Sequence, residues 1–407
     1  MIRCGRRQWD AGKGARQLES DQGRVGGEPI ETECVMSMTK KRIAVYTAGL
    51  GSGGVGRMRV HLIREWIRRG HSVDLVMATA ASPMEGLIPG DSHLEVIGTS
   101  HRWMSIPRLV SYLARRRPDV LLTDRTRLNA SALTAVRWGY GTTGVYTSIH
   151  LPQGQKLERM RPAKRISEEK AIRRLLPKNK KIIAVSQGVA DDLVRRFDIP
   201  EDRVEVIYNP VVVSDIHELA AAAPAAPLFD DAPDPVIMAA GRMTAQKDFP
   251  TLVRAFAILA ERRSCRLAIL GDGEEKRALL AMVGRLGLQD RIQLPGYVMN
   301  PYQYMTQADV FVLSSAWEGF GNVLAEAMAL GIPVVSTDCP YGPREILMDG
   351  ALGPLVPIGD PEALADAIDG VLARPMDPDR LKAAAQRFTV ERCADRFLEV
   401  FSMEHQG

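Results

Sequence analysis

The chain has 407 residues, 25% charged and 45% hydrophobic, with a formal net charge of +4; this is too long for one ordinary core and suits two globular domains. Five scattered cysteines without a C-x-x-C pair argue against a zinc site or a disulfide framework and fit a reducing cytoplasm. No apolar run approaches the roughly 20 residues of a membrane span, and the start lacks the apolar core of a signal peptide.

Residues 1–38 are rich in Gly, Arg, Gln and Glu and have no apolar period, so they read as a disordered extension. A start at Met38 would suit the fold, and the extension is assigned no function. Strands are then predicted at Arg42–Thr47, Ser72–Ala78, Val96–Gly98, Val120–Thr123, Gly144–Ile149, Lys181–Val185 and Val204–Tyr208. Helical spacing falls between them at Val55–Arg69, Ile106–Arg116, Asn129–Trp138 and Gly188–Phe197. A Pro- and Ala-rich stretch, Ala221–Pro235, interrupts the pattern and reads as a linker or surface segment. The alternation then restarts. Strands are predicted at Val236–Ala240, Arg266–Leu270, Ile292–Leu294, Val310–Leu313 and Pro333–Ser336. Helices are predicted at Pro250–Arg262, Glu274–Leu286, Asn322–Ala329, Pro361–Ala373 and about Val390–Phe401. The pattern implies two doubly wound α/β domains in tandem, with ligands beyond the carboxyl ends of the strands and in the cleft between domains. The boundaries read from it are 39–212, a linker 213–235, then 236–385, with 386–407 as a C-terminal helix returning to the first domain.

After the first strand, Gly49, Gly51 and Gly54 match G-x-G-x-x-G. A nicotinamide site also needs an acidic residue at the end of the second strand for the ribose hydroxyls. None stands there, since Asp74 lies inside the strand. The glycine loop therefore reads as an approach to some other anionic ligand, its amides leading into a helix N-terminus; a tight turn without ligand is the plainer alternative.

Three stretches of the second half carry chemistry. Arg242 and Lys247 follow the strand Val236–Ala240 and are placed to hold a diphosphate, the one as a planar fork and the other as a mobile point charge. Glu318 lies just past the strand Val310–Leu313, the Gly319–Asn322 turn opens a helix, and Glu326 follows in its first turns. Free amides at a helix start favour phosphate, whereas carboxylates beside them repel it unless they face hydroxyls. Two carboxylates flanking an anion site suggest a diphosphate with a hydroxyl-bearing group on each side, as in a sugar nucleotide. Taken singly, Glu326 could be dipole complementarity and Glu318 a loop carboxylate. The third stretch, Gly296–Val298, could rest a flat base on backbone and an apolar side chain.

The spacing of Glu318 and Glu326, with "GRMTAQKD" upstream, resembles the retaining glycosyltransferases of family 4, which have the GT-B fold, two Rossmann-like domains facing across a cleft. The resemblance runs from Lys41 to about Phe401. It implies that Arg242 and Lys247 neutralise the donor diphosphate and that Glu318 binds hydroxyls of the transferred sugar. Asn322 and the neighbouring amides of Phe320, Gly321 and Val323 would hold phosphate and sugar, and Glu326 the ribose. Backbone around Tyr297 and Val298 would contact the base, Gly53 and Gly54 would approach the donor phosphates, and His150 would lie near the transferred sugar. The usual account of the reaction is a front-face displacement in which the leaving phosphate helps deprotonate the acceptor. No cofactor is implied beyond the donor, and no metal. The D-x-D at Asp377-Pro-Asp379 reads as a helix start.

"DCPYGPREIL" (Asp338–Leu347) is similar to bacterial enzymes that add N-acetylhexosamine or hexose to lipid-linked glycans, with Tyr341 where Ser is the family's residue. A UDP-sugar is the expected donor and a glycan or lipid-linked molecule the acceptor, in cell-surface polysaccharide or glycolipid synthesis. A GDP-mannose-dependent mannosyltransferase and a UDP-sugar 2-epimerase of the same fold are the alternatives. Between Lys156 and Lys181 stand eleven Lys or Arg against three Glu. This reads either as a solvated helix face or as a patch facing phosphates or an anionic membrane. Without aromatic interleaving it does not read as a nucleic-acid surface. The expected location is cytoplasmic, with peripheral contact on the inner face of the membrane.

Overall fold

Short apolar runs buried on both faces make parallel strands, and amphipathic runs cover them. The computed structural model describes residues 39–51, 54–79, 85–99, 101–139, 141–223, 228–229 and 234–403. The extension 1–38 and Gly53 lie outside the described residues. The first half runs β1 (Arg42–Thr47), α1 (Gly54–Arg68), β2 (Ser72–Met77), β3 (His93–Val96), α2 (Arg102–Arg116), β4 (Val120–Thr123), α3 (Thr126–Trp138) and β5 (Gly144–Ile149). It continues with α4 (Gln153–Glu158), α5 (Pro162–Leu175), β6 (Lys181–Ala184), α6 (Gln187–Phe197), β7 (Val204–Val206) and α7 (Ile216–Ala221). Its strands pair in the order β3-β2-β1-β4-β5-β6-β7, all parallel.

The second half runs β8 (Val236–Ala240), α8 (Phe249–Arg262), β9 (Arg266–Leu270), α9 (Lys276–Arg285), β10 (Ile292–Gly296), α10 (Tyr302–Met305), β11 (Val310–Leu313) and α11 (Asn322–Ala329). Then come β12 (Val334–Thr337), α12 (Pro343–Ile346), β13 (Leu355–Val356), α13 (Pro361–Ala373), α14 (Pro378–Ala385) and α15 (Val390–Ser402). This sheet has the order β10-β9-β8-β11-β12-β13 and is also parallel. The fold is GT-B: two Rossmann-like α/β domains.

Helix α15 leaves the second half and packs on the first. Its apolar stripe sets Phe397 against Trp66 of α1 at 5.7 Å and Phe401 against Tyr146 of β5 at 4.9 Å between ring centroids. Such aromatic pairs contribute about 1 kcal/mol each beyond the area they bury. Arg69 holds the other side of α15, binding Asp395 and donating to the carbonyl of Glu391. Beside this helix the two crossing segments touch, Val211 and Val212 donating to the carbonyl of Phe388 at 3.1 and 3.0 Å.

Two expectations need correction. The third strand is His93–Val96, not Val96–Gly98. It is an edge strand with largely exposed side chains, so no apolar run marked it. The segment expected as a linker contains α7, which buries Ile216 and Ala220. The basic run, read above as a helix face or a patch but given no helix bounds, holds α4 and α5. Asp377 starts α14 as expected, accepting from the Asp379 amide at 3.1 Å.

Candidate functional site

In each sheet the strand order reverses once, so that β1 lies between β2 and β4, and β8 between β9 and β11. At such a reversal the connections leave to opposite faces and open a crevice beyond the carboxyl ends. The loops after β1 and β4 carry the glycine stretch and Asp124. Those after β8 and β11 carry Arg242, Lys247 and Glu318. The topology therefore brings together the segments that the motifs singled out.

On the second sheet the charged groups form one network. Lys247 Nζ lies 2.6 Å from Glu318 Oε1, and Ser315 Oγ donates to the same oxygen at 2.8 Å. Gln246 Nε2 donates to Glu318 Oε2 at 3.3 Å. Ser314 Oγ donates to the carbonyl of Lys247 at 2.8 Å, tying the loop after β8 to the end of β11. Glu318 is 7% exposed, and these three donors satisfy its buried oxygens. Arg242 is exposed and carries no ion pair with a described residue.

Gly321, at φ 104°, turns the chain into α11, whose first amides have no side-chain cap. At that start Asn322 Oδ1 accepts from Asn209 Nδ2 of the first half at 2.8 Å. The start of α1 arrives at the same point. A Cβ on Gly54 would lie 2.8 Å from Asn322 Nδ2, so any larger residue there would have to displace the Asn322 amide. Two helix N-termini thus converge, and both carry partial positive charge. A third opens nearby and is already filled: on α6, Ser186 Oγ accepts from Val189, while Glu345 of α12 accepts from the amides of Gln187 and Gly188 at 2.8 and 2.9 Å.

Glu326, in the second turn of α11, is 6% exposed. Its nearest partner is Tyr302 Oη at 3.4 Å. Burial raises its pKa, and Arg57 of α1 is the strongest opposing influence. Arg57 itself donates to the carbonyl of Met299 at 3.1 Å. Burial works against its charge, but Glu326 and Tyr302 outweigh burial and raise its pKa. Tyr297 is 55% exposed and Val298 half-buried on the adjoining loop. The ring of Phe320 packs with Tyr208 and Phe388 at 5.6 and 5.1 Å, which leaves its main chain to the turn. Val323 stands half-buried next to Asn322.

On the first sheet, Arg59 of α1 is 7% exposed, pairs with Asp124 and donates to Thr47 Oγ1 at 2.8 Å. Both ring nitrogens of His150, and Asp124 Oδ1, are buried without a hydrogen-bond partner. Burial, then the charge of Arg59, lowers the His150 pKa to about 4, with Asp124 and Asn209 opposing. The imidazole is therefore neutral near pH 7. The halves meet closely here: a Cβ on Gly319 would fall 1.9 Å from the carbonyl oxygen of His150, and Ser186 Oγ donates to the Gly319 carbonyl at 2.8 Å.

Sequence reasoning missed Arg57, Arg59, Asp124, Asn209, Tyr302 and Glu345. Asp124 follows a buried strand just as His150 does, so the signal was there. Arg57 and Arg59 stand in the glycine stretch but could have pointed anywhere. Asn209 and Tyr302 carry no local signal. Among the described residues, no group of three His, Cys, Asp or Glu is placed to hold a metal ion, and no helix is long and apolar enough to cross a membrane.

Comparison with known proteins follows the same division. Residues 52–215 match the model of Glycosyltransferase Family 4, and residues 226–388 that of Glycosyl transferases group 1. The chain is 34% identical, over 52% of its length and 54% of the relative's, to the N-acetylgalactosamine-N,N'-diacetylbacillosaminyl-diphospho-undecaprenol 4-alpha-N-acetylgalactosaminyltransferase of Campylobacter jejuni. It is 36% identical, over 41% of its length and 50% of the relative's, to the lipopolysaccharide core biosynthesis glycosyltransferase LpsE of Rhizobium meliloti. It thus spans about half the length of these two curated relatives. Anabaena HepE, solved in complex with UDP, superposes with a TM-score of 0.71 at 19% identity, over 89% of this chain and 99% of that one; the likeness is one of fold.

Proposed function

We propose, for a chain that belongs to the glycosyltransferases through its family 4 and group 1 halves, that it moves a hexose or N-acetylhexosamine from a nucleotide sugar to a glycan or lipid-linked acceptor. The observation that carries this reading is the meeting of the α1 and α11 N-termini at Asn322, with the Lys247–Glu318 pair before α11's start and the buried Glu326 in its second turn. A diphosphate suits the two helix starts and the cations. Glu318, held in place by its three donors, suits hydroxyls of the transferred sugar, and Glu326 those of the ribose. Relatives acting on diphospho-undecaprenol and on lipopolysaccharide favour a lipid-linked or cell-surface acceptor, and the UDP bound by HepE favours a UDP-sugar.

In this reading the transfer retains the anomeric configuration. The donor's leaving phosphate takes the acceptor proton, while Arg242, Lys247 and the helix starts meet the charge that develops on it. Such preorganised donors are worth about 3 kcal/mol apiece when removed. Neutral His150 lies by the sugar as a hydrogen-bonding group rather than a cation. The basic run 156–181 belongs to the acceptor-side half, and its cations without an ion pair would contact an anionic membrane. A screen of UDP-, GDP- and ADP-sugars by thermal stabilisation and donor hydrolysis tests the assignment. Stabilisation by UDP-sugars, lost in Arg242→Ala and Glu326→Ala, is the expected result. Stabilisation by GDP-mannose alone would replace the donor, and no response to any sugar nucleotide would sink the reading.

A further inference from the structure

The basic run does not act as one surface. Lys156 pairs with Glu168 at 3.1 Å, Arg173 with Glu169 at 3.2 Å and with Asp198, and Lys181 with Glu205 at 2.9 Å. Arg159 lies over the ring of Trp317. A different set has no such partners. Lys170 and Arg174 on α5, Lys178 just beyond it, and Lys180 carry no ion pair with a described residue. Neither does Arg137 in the last turn of α3. These five cations, with Arg203, line a single groove between α3 and α5, of about 930 Å³, with no acidic residue among the described residues on its walls.

The groove lies away from the donor cleft. Lys180 immediately precedes β6, and the groove's floor includes Thr143, immediately before β5. His150 and Ser186 stand past the other ends of those two strands. In a parallel sheet these are opposite edges, so an ion in the groove is not one held by Arg242 or Lys247. Lys170 and Arg174 stand four residues apart and so share one face of α5, and Lys178 follows just past its end. Helix C-termini account for part of this, since α3 and α5 both end here and a C-terminal cation gains about 0.5 kcal/mol. They do not account for Lys170, which stands more than a turn before the end of α5, or for Lys180, which precedes a strand. Trp138, 62% exposed, stands among the lining residues and gives the groove an apolar lip.

We propose that this groove is a second anion site, one that takes phosphate groups. Arg supplies planar forks and Lys point charges, both suited to phosphate oxygens. Several cations in one concavity without carboxylates favour a ligand bearing more than one phosphate, or several phosphate headgroups side by side. The proposal does not depend on the identity of the donor.

The test uses the full chain in two arms. In one, tripolyphosphate is titrated and read by calorimetry and by Trp138 emission, with Trp138→Phe as the reference. In the other, flotation compares phosphatidylglycerol with phosphatidylcholine vesicles. The groove variant is Lys170→Glu/Arg174→Glu/Lys178→Glu. The control, Arg277→Glu/Arg285→Glu/Arg374→Glu, changes net charge equally on the other half. Binding in either arm that falls at least tenfold in the groove variant and less than twofold in the control supports the site. The arm that responds identifies the source, a soluble polyphosphate or a lipid headgroup. Equal losses in both variants, binding lost only in Arg242→Ala, or no binding in either arm overturns the proposal. Melting of both triple variants at the wild-type temperature guards against a folding defect.

Discussion

The two sheets present different edges to the cleft. On the second, the buried carboxylate is partnered: Glu318 receives Lys247, Ser315 and Gln246. On the first, buried polar atoms stand without partners: both nitrogens of His150 and one oxygen of Asp124. A network complete in itself is rigid and preorganised, as suits a donor diphosphate and its leaving group. Unpaired buried groups cost free energy unless something satisfies them, which suits the side where a sugar and acceptor hydroxyls would arrive.

This contrast can be broken first at Glu318. Glu318→Ala leaves the Lys247 ammonium, 14% exposed, without its carboxylate. We expect transfer to fall about a thousandfold and stability in denaturant to drop by about 3 kcal/mol. A loss of stability near zero would show that the partnered edge is not a structural unit. The second break is steric. Gly319→Ala drives a methyl group into the His150 carbonyl, where the Cβ distance is 1.9 Å. Overpacking of this kind costs about 2 kcal/mol. The halves should separate, which small-angle scattering would register as a larger radius of gyration; an unchanged profile would refute the close approach.

The unpartnered edge is probed by pH. The fold holds His150 neutral down to about 4, whereas the unfolded chain protonates it near its ordinary 6.5. The unfolded state therefore binds more protons in that window, so stability falls as pH is lowered from 6.5 towards 4. His61, likewise lowered to about 4 by burial, contributes in the same direction. Glu326, whose pKa burial raises, opposes them at the acid end. Denaturation midpoints at pH 7 and pH 5 should differ in the wild type, less in His150→Asn, and least in His150→Asn/His61→Asn. An identical difference in all three would mean that neither ring is held neutral. The smallest effect is expected at the filled helix start. Glu345→Gln should cost about 1 kcal/mol through the lost charge–dipole contact at α6, measured by thermal melting, with donor affinity nearly unchanged. A large loss of donor affinity would instead make this third N-terminus part of the site.

Both sheets and most helices were legible in the sequence, because a strand buried on both faces writes a short apolar run and a helix on its surface writes a 3.6-residue period. Where side chains were exposed or the element brief, as at β3 and β13, that signal vanished. The site was legible in part. Arg242, Lys247, Glu318, Asn322 and Glu326 lie in compact stretches next to strand ends, so local pattern pointed to them. Asn209, Tyr302 and Arg57 reach the cleft from segments far apart in the chain. Asn209 meets Asn322, and Arg57 meets Met299, only once the halves meet, and Tyr302 meets Glu326 only once the second half has folded.

The sequence by itself therefore determined two parallel sheets, their covering helices and the stretches of loop that face the cleft, since each follows from local periodicity and strand-to-helix connection. Only the tertiary structure decided which charges are spent on one another. It pairs Lys247 with Glu318, fills the start of α6 with Glu345 and gathers five unpaired cations between α3 and α5. Electrostatic partnership depends on distances of a few ångströms between remote residues, and no local pattern records those.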